Sequence, residues 1–325
     1  MRSVQTQQRF PLSTVKPLEK LIPYRQQCLA QTRQALSGRV VRRERSPLGG
    51  ARMEPFGSVE GLEYVRCPET GSLFLAQLPA WEEWAKLLET VSRYRQSPET
   101  FHSHLSQSRA ENVYFPRLEW AQEALRLQGM ASAVLLDVAS LPTTFGAFLK
   151  KNGTFSDVIP VEEMRLAHLR GAAPDWKKRR AQAALLSESL DRVDDPPALL
   201  EGVRAGLENG GLLFITSLVA SGFDLSVLGL RNLYLYPPDR ANCFTLRGLV
   251  LLLEQSGFEL IEVSTPGVLD VEIVASHLRQ DPTIPVTGFE RALIAADSET
   301  RSAFQAFLQE KRFSSFARLI ARKKG

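Results

Sequence analysis

Four carboxylates in this chain stand where they could meet a ligand. Asp137 lies in the apolar run "AVLLDVA" and Glu162 closes "FSDVIPVE", and both runs read as buried strands. Asp191, in "SLDRVDDPP", and Asp239, in "LYPPDR", fall in loops marked by proline. Ligands of an open α/β sheet bind outside the carboxyl ends of its strands, so acids at such places can take a proton or accept hydrogen bonds from a bound molecule. Asp191 and Asp239 are the nominated bases, and Arg192, Tyr236 and Arg240 beside them would orient an anionic or hydroxylated acceptor. The plainer role for a strand-end acid such as Asp137 or Glu162 is to cap the following helix.

The elements that must position these groups follow from periodicity. After Met130, "AVLLDVA", "FSDVIPVE", "AALLSES", "GGLLFITSLV", "FELIEVS" and "FARLIARK" alternate with helical stretches. That alternation predicts a parallel sheet with helices on both faces, an α/β fold. Three segments are expected. Residues 1–52 form a polar arm with a helix from Pro17 to about Leu36. Residues 53–128 form an accessory region, with a β-hairpin around "CPETG" and helices in "AWEEWAKLLETVSRYRQ" and "RLEWAQEALRLQ". Residues 129–325 form the main domain. The stretch from Ser298 to Ser315 reads as one amphipathic helix with Phe304, Phe307 and Leu308 on one face.

The order of these pieces resembles the class I S-adenosylmethionine-dependent methyltransferases. Asp137 matches the acid that ends that family's first strand, and Glu162 the acid that ends the second and holds the ribose hydroxyls, with Glu163 as its alternate. "LDRVDDP" resembles the turn after the fourth strand, "LENGGLLFITS" the approach to the fifth, and "SGFELIEV" a later strand. The resemblance covers residues 131–274 and implies a Rossmann-like sheet with S-adenosylmethionine held by Asp137, Ala139, Ser140, Thr143, Phe145, Glu162 and Glu188. It implies a small-molecule or carbohydrate-like acceptor.

The sequence departs from this family in two places. Ala139, Leu141 and Thr143 stand where the family has loop glycines, whose missing Cβ lets a cofactor approach. Between Glu162 and Ala183 there is little room for a third strand, and Pro174 with "WKKRR" argues against a buried one. Upstream, "YVRCPETGSLFL" resembles a worn zinc-ribbon hairpin that keeps Cys67 but has Thr70 at the second thiolate, so a metal-free hairpin is expected.

Composition narrows the classes. The excess of 40 Lys and Arg over 36 Asp and Glu is too small to argue a nucleic-acid or membrane partner, and the basic runs Arg39–Ser46 and Ala317–Gly325 read as solvated linker and tail. Three scattered cysteines support neither a disulfide framework nor a metal site, and no signal-peptide core or run of about 18 apolar residues occurs, which points to the cytoplasm. No Gly-x-Ser-x-Gly elbow or helical histidine pair is present. Two readings follow: a methyltransferase with an unusual cofactor loop, or a methyltransferase-like protein that has lost catalysis and binds a protein partner.

Overall fold

The computed structural model describes residues 12–15, 17–97, 100, 110–130, 132–168 and 180–325. The chain opens with α1 (Leu12–Val15) and α2 (Leu18–Ala35), the latter close to the predicted helix. Helix α2 buries Leu21, Tyr24, Cys28, Leu29 and Thr32, a three-and-four spacing that makes one face even though polar residues surround it. Strand β1 (Val40–Arg42) follows, then β2 (Glu54–Val59), β3 (Leu62–Arg66), β4 (Leu73–Leu75) and β5 (Gln77–Pro79).

Strands β1 and β5 pair with each other, whereas β2, β3 and β4 form an antiparallel meander. The predicted turn at Cys67–Gly71 joins β3 to β4, but a second turn, at Glu60 (φ 47°) and Gly61 (φ 84°), joins β2 to β3. Positive φ at two successive residues suits a tight hairpin but is unusual for glutamate. Glu60 is held there by Arg25 and by Arg33, 3.2 Å away, both from α2. The tertiary contact, absent from local sequence, explains the missed turn.

Helix α3 (Trp81–Gln96) buries Trp84, Leu87, Leu88 and Val91. A π-turn at Ala110–Tyr114 leads into α4 (Phe115–Leu127), whose buried face carries Arg117 beside Leu118, Ala121, Ala124 and Leu125. The main domain then alternates β6 (Val134–Val138), α5 (Thr144–Lys151), β7 (Asp157–Val161), α6 (Glu163–His168), β8 (Ala181–Ser187), α7 (Pro196–Gly206) and β9 (Leu207–Leu218). After α8 (Phe223–Leu228) come β10 (Asn242–Cys243), α9 (Leu246–Gln255), β11 (Phe258–Ser264), α10 (Asp270–Gln280), α11 (Gly288–Ala295), α12 (Ser298–Glu310) and β12 (Phe316–Lys323).

The central sheet has the order β11-β12-β9-β8-β6-β7. The pairs β6/β7, β6/β8 and β8/β9 are parallel, but β12 runs antiparallel to both β9 and β11, so the sheet is mixed rather than purely parallel. The reason is the connection. The chain leaves β11 beside the start of β12, as the pair Ser264 and Arg318 shows, and re-enters the sheet with Phe316 opposite Leu218 at the end of β9. Helices α10–α12 bring it back to the carboxyl edge it left, so β12 must run downward. Among the described residues no strand flanks the outer side of β7; residues 169–179, where a third strand would fall, lie outside them.

The N-terminal elements are not a separate layer. Strand β10, from the main domain, pairs with β4 and completes a four-stranded sheet β10-β4-β3-β2. Leu21 and Leu29 of α2, Phe74 of β4 and Trp84 of α3 belong to one apolar cluster with Leu199 of α7 and Leu249 of α9. On the other face of the central sheet, Leu118 and Leu125 of α4 pack with Leu135, Leu185 and Phe214.

Two expectations about basic runs are corrected here. Arg43 donates to Asn242 Oδ1 at 2.6 Å and to the Asp194 carbonyl at 2.7 Å, which ties β1's flank to the main domain. Arg318 lies inside the fully paired β12 and is 8% exposed. Neither is a solvated side chain: burial lowers Arg43 to about 10.

Candidate active site

The carboxyl edge of β6, β8 and β9 opens on a cavity of about 690 Å³, roofed by the ends of α3 and α4 and by the segment from Tyr234 to Arg240. That volume lies in the range of small-ligand sites. The twelve residues expected at the site divide into those at the cavity wall and those behind it. Ala139, Thr143, Phe145, Glu188, Arg192, Tyr236, Asp239 and Arg240 line it; Asp137, Ser140, Glu162 and Asp191 do not.

The half over β6 is closed on itself. Asp137 Oδ2 accepts from the Thr143 amide at 2.8 Å, and its carboxylate also accepts from Thr143 Oγ1 at 2.9 Å. The same Thr143 hydroxyl caps α5 by accepting from the Gly146 amide at 2.7 Å. Gly146 is required there, because a Cβ would lie 2.1 Å from Asp137 Oδ2. Burial pushes the Asp137 carboxyl up to about 6, against the pull of the Thr143 donors. Ser140 donates to the buried Glu163 at 2.6 Å, which occupies that side chain away from the cavity. Hydrogen bonding to its own loop thus replaces the glycine geometry.

Glu162 caps a helix. Its Oε1 and Oε2 accept from the Met164 and Arg165 amides at 3.0 and 2.7 Å, the first turn of α6. This places the expected ribose ligand outside the cavity, bound to backbone groups that a six-residue helix would otherwise leave unsatisfied.

The half over β8 and β9 is a network of ions. Glu188, held at φ 61°, accepts from Arg240 at 2.8 Å. Burial would raise its carboxyl, but Arg240, Arg95, Arg117 and Arg192 together hold it well below the usual carboxylate range. Asp191 lies behind, fully buried, accepting from Ser217 Oγ at 2.6 Å and the Leu218 amide at 3.1 Å, with Arg240 at 3.4 Å. Burial and the neighbouring Glu188 push it up to about 7 despite Arg240. It is not among the residues that line the cavity.

Asp239 is the acceptor of three donors: the phenols of Tyr24 and Tyr236 at 3.4 and 3.3 Å, and the guanidinium of Arg95. Burial raises both phenols well above their ordinary range, so they remain donors. A carboxylate so engaged is an anchor for all three donors. Arg192 is anchored in turn by its carbonyl, which accepts from the Trp84 indole at 2.8 Å, and by its guanidinium, which donates to the Ser187 carbonyl at 3.2 Å.

Sequence reasoning missed Tyr24, Arg95, Arg117 and Arg318. The signal available was an arginine inside an otherwise apolar pattern: Arg117 on the buried face of α4, and Arg318 in "FARLIARK". Nothing local indicates that three N-terminal elements and the last strand converge.

The cavity fits S-adenosylmethionine in size and polar complement. Leu141 and Phe145 form its wall without filling it, the Glu188 carboxylate can accept from hydroxyl or ammonium groups, and Arg192 can receive a carboxylate. Among the described residues no group of three or more His, Cys, Asp or Glu could hold a metal ion, and no helix is long and apolar enough to cross a membrane.

No curated protein matches the sequence. Among solved structures, the 1,6-didemethyltoxoflavin-N1-methyltransferase of Burkholderia thailandensis is 14% identical, with 84% of this chain and all of that one covered and a TM-score of 0.40. An S-adenosylmethionine-dependent methyltransferase of Mesorhizobium loti is 17% identical over 63% of this chain and all of that one, with a TM-score of 0.36. At these identities and scores neither informs the acceptor. The family model described as "Methyltransferase domain" matches residues 99–263, half of the chain, and includes the loop after β6, Glu188 and the segment from Tyr236 to Arg240. The chain belongs to the methyltransferase domain family, which implies S-adenosylmethionine as its cofactor.

Proposed function

We propose that this chain transfers a methyl group from S-adenosylmethionine to a small-molecule acceptor, hydroxylated or carbohydrate-like in size, bound in the carboxyl-edge cavity. The observation that carries this reading is that about 690 Å³ stays open beside Glu188 although the loop glycines are gone. When bound, the cofactor supplies an electrophilic methyl on a positively charged sulfur.

The chain's own residues would do the positioning. The loop from Ala139 to Phe145 forms one wall, and Glu188 replaces Glu162 as the carboxylate that meets the cofactor. Arg192 and Tyr236 face the remaining space, where they can direct an acceptor's oxygen atoms. Asp191 and Asp239 then act as supports for Arg240 and Arg95 rather than as bases. Methyl transfer gains most from holding the two reacting atoms in line, so an acceptor whose nucleophile is already basic needs nothing more.

Titration calorimetry with S-adenosylhomocysteine tests this reading. Micromolar binding is expected, weakened about tenfold or more in Glu188→Gln, because a charged acceptor is lost, and changed less than about twofold in Glu162→Ala. Absence of heat and of thermal stabilisation with the wild-type protein would sink it and favour the non-catalytic, partner-binding reading.

A further inference from the structure

We propose that Arg318 and Arg117 form an oxyanion-binding subsite at the acceptor end of the cavity, so that the acceptor carries a carboxylate or a phosphate group. The inference rests on the methyltransferase reading for the word acceptor, but the subsite itself stands on geometry.

Both arginines line the cavity and both are more than nine-tenths buried. Their guanidinium carbons lie 5.1 Å (Arg117) and 5.9 Å (Arg318) from the centre of the Phe316 ring. Arg117 also lies 5.7 Å from the Phe145 ring, and Arg318 5.5 Å from that of Trp120. Stacking on these rings presents guanidinium edges, the geometry arginine uses for planar or tetrahedral oxyanions.

Arg318 differs from other charged groups of the wall. Arg240 pairs with Glu188, Arg95 with Asp239, and Asp270 accepts from Gln305, Ser314 and the Ser315 amide. Arg318 forms no ion pair among the described residues. Its Nη1 reaches the Pro116 carbonyl only at 3.4 Å, and its Nε, buried, has no hydrogen-bond partner. The acid whose charge acts on it, Glu262, is engaged by the Trp120 indole at 3.0 Å. Burial first, and then the like charge of Arg117, depress Arg318 to about 9. A buried cation beside another cation is a costly arrangement, and a ligand's anionic group relieves it.

The lining at this end is aromatic, with Phe316 from β12, Phe145 from α5 and Tyr114 from the π-turn. Benzoate and phenyl phosphate are therefore suitable probes, and they separate a carboxylate from a phosphate source. Each is titrated into wild-type protein, Arg318→Met and Arg318→Lys, with and without saturating S-adenosylhomocysteine, and the fold of each variant is checked by circular dichroism. One probe is expected to bind wild-type protein and to lose about ten- to a hundredfold in Arg318→Met, the worth of a hydrogen-bonded charge. Arg318→Lys should recover part of that loss, while S-adenosylhomocysteine affinity stays within about twofold throughout. Failure of both probes to bind, or equal binding by Arg318→Met, overturns the subsite. Loss of S-adenosylhomocysteine binding in Arg318→Met overturns it as an acceptor subsite. If wild-type protein binds a probe but not S-adenosylhomocysteine, the methyltransferase reading fails and the oxyanion site stands.

Discussion

The two halves of the carboxyl edge use their acids in opposite ways. Over β6 and β7, Asp137 and Glu162 serve the backbone and hydroxyls of their own segments. Over β8 and β9, Glu188 and Asp239 meet guanidinium groups carried in from α3 and from the loop before β10. The consequence is visible in their ionisation. Asp137, whose partners are neutral, is pushed up to about 6 by burial, whereas Glu188, at the cavity wall, is held well below the usual range by four arginines. One half is a locally folded loop; the other is assembled from segments far apart in the chain.

The largest effect should come from breaking the tertiary half. Arg240→Ala leaves Glu188 and Asp191 without their nearest cation, and truncating one partner of a buried pair costs about 3–5 kcal/mol. Urea unfolding measures this; a loss below about 1 kcal/mol would mean that the two acids are not held as described.

A pH series on the local half should give the next largest effect. Because Asp137 is raised from 3.8 to about 6, the folded chain keeps a proton that the unfolded chain releases. Its contribution is fully present below about pH 4 and lost as pH rises through about 6, on the order of 2–3 kcal/mol. In Asp137→Asn, which can still accept from the Thr143 amide, the fall in melting temperature between pH 4 and 6.5 should be smaller than in wild type. An unchanged slope would show that Asp137 is ionised throughout.

The smallest effect is expected from Glu162→Ala, about 1 kcal/mol, the usual worth of a helix cap. A much larger loss, read by the same urea titration, would assign Glu162 more than its two backbone bonds to α6.

Much of the local half is legible in the sequence. Apolar runs locate β6, β7, β8 and β9, and Asp137 and Glu162 fall at strand ends, where helix capping is already the plainer alternative for Glu162. The side of the helix on which Glu162 acts depends on two backbone amides following it, which periodicity does not distinguish from an open ligand site. In the tertiary half, Glu188 is legible because it follows β8, and Asp239 and Arg240 because they stand in a loop marked by proline, but their partners are not. Tyr24 lies 215 residues and Arg95 144 residues from Asp239. The polarity of α2 hides a buried phenol, and a basic strand reads as a tail because charge is ordinarily solvated.

The pairing of β10 with β4 has a consequence for how the molecule is made. The segment that supplies Asp239 and Arg240 is stitched by Asn242 and Cys243 to a hairpin synthesised some 170 residues earlier, and Tyr24 and Arg95 wait on the same segment. Long-range closures of this kind are slow to form. Until residue 239 has been added, neither Tyr24 nor Arg95 has its carboxylate. Tyr24 and Arg95 are satisfied only once the growing chain has folded back onto its own beginning.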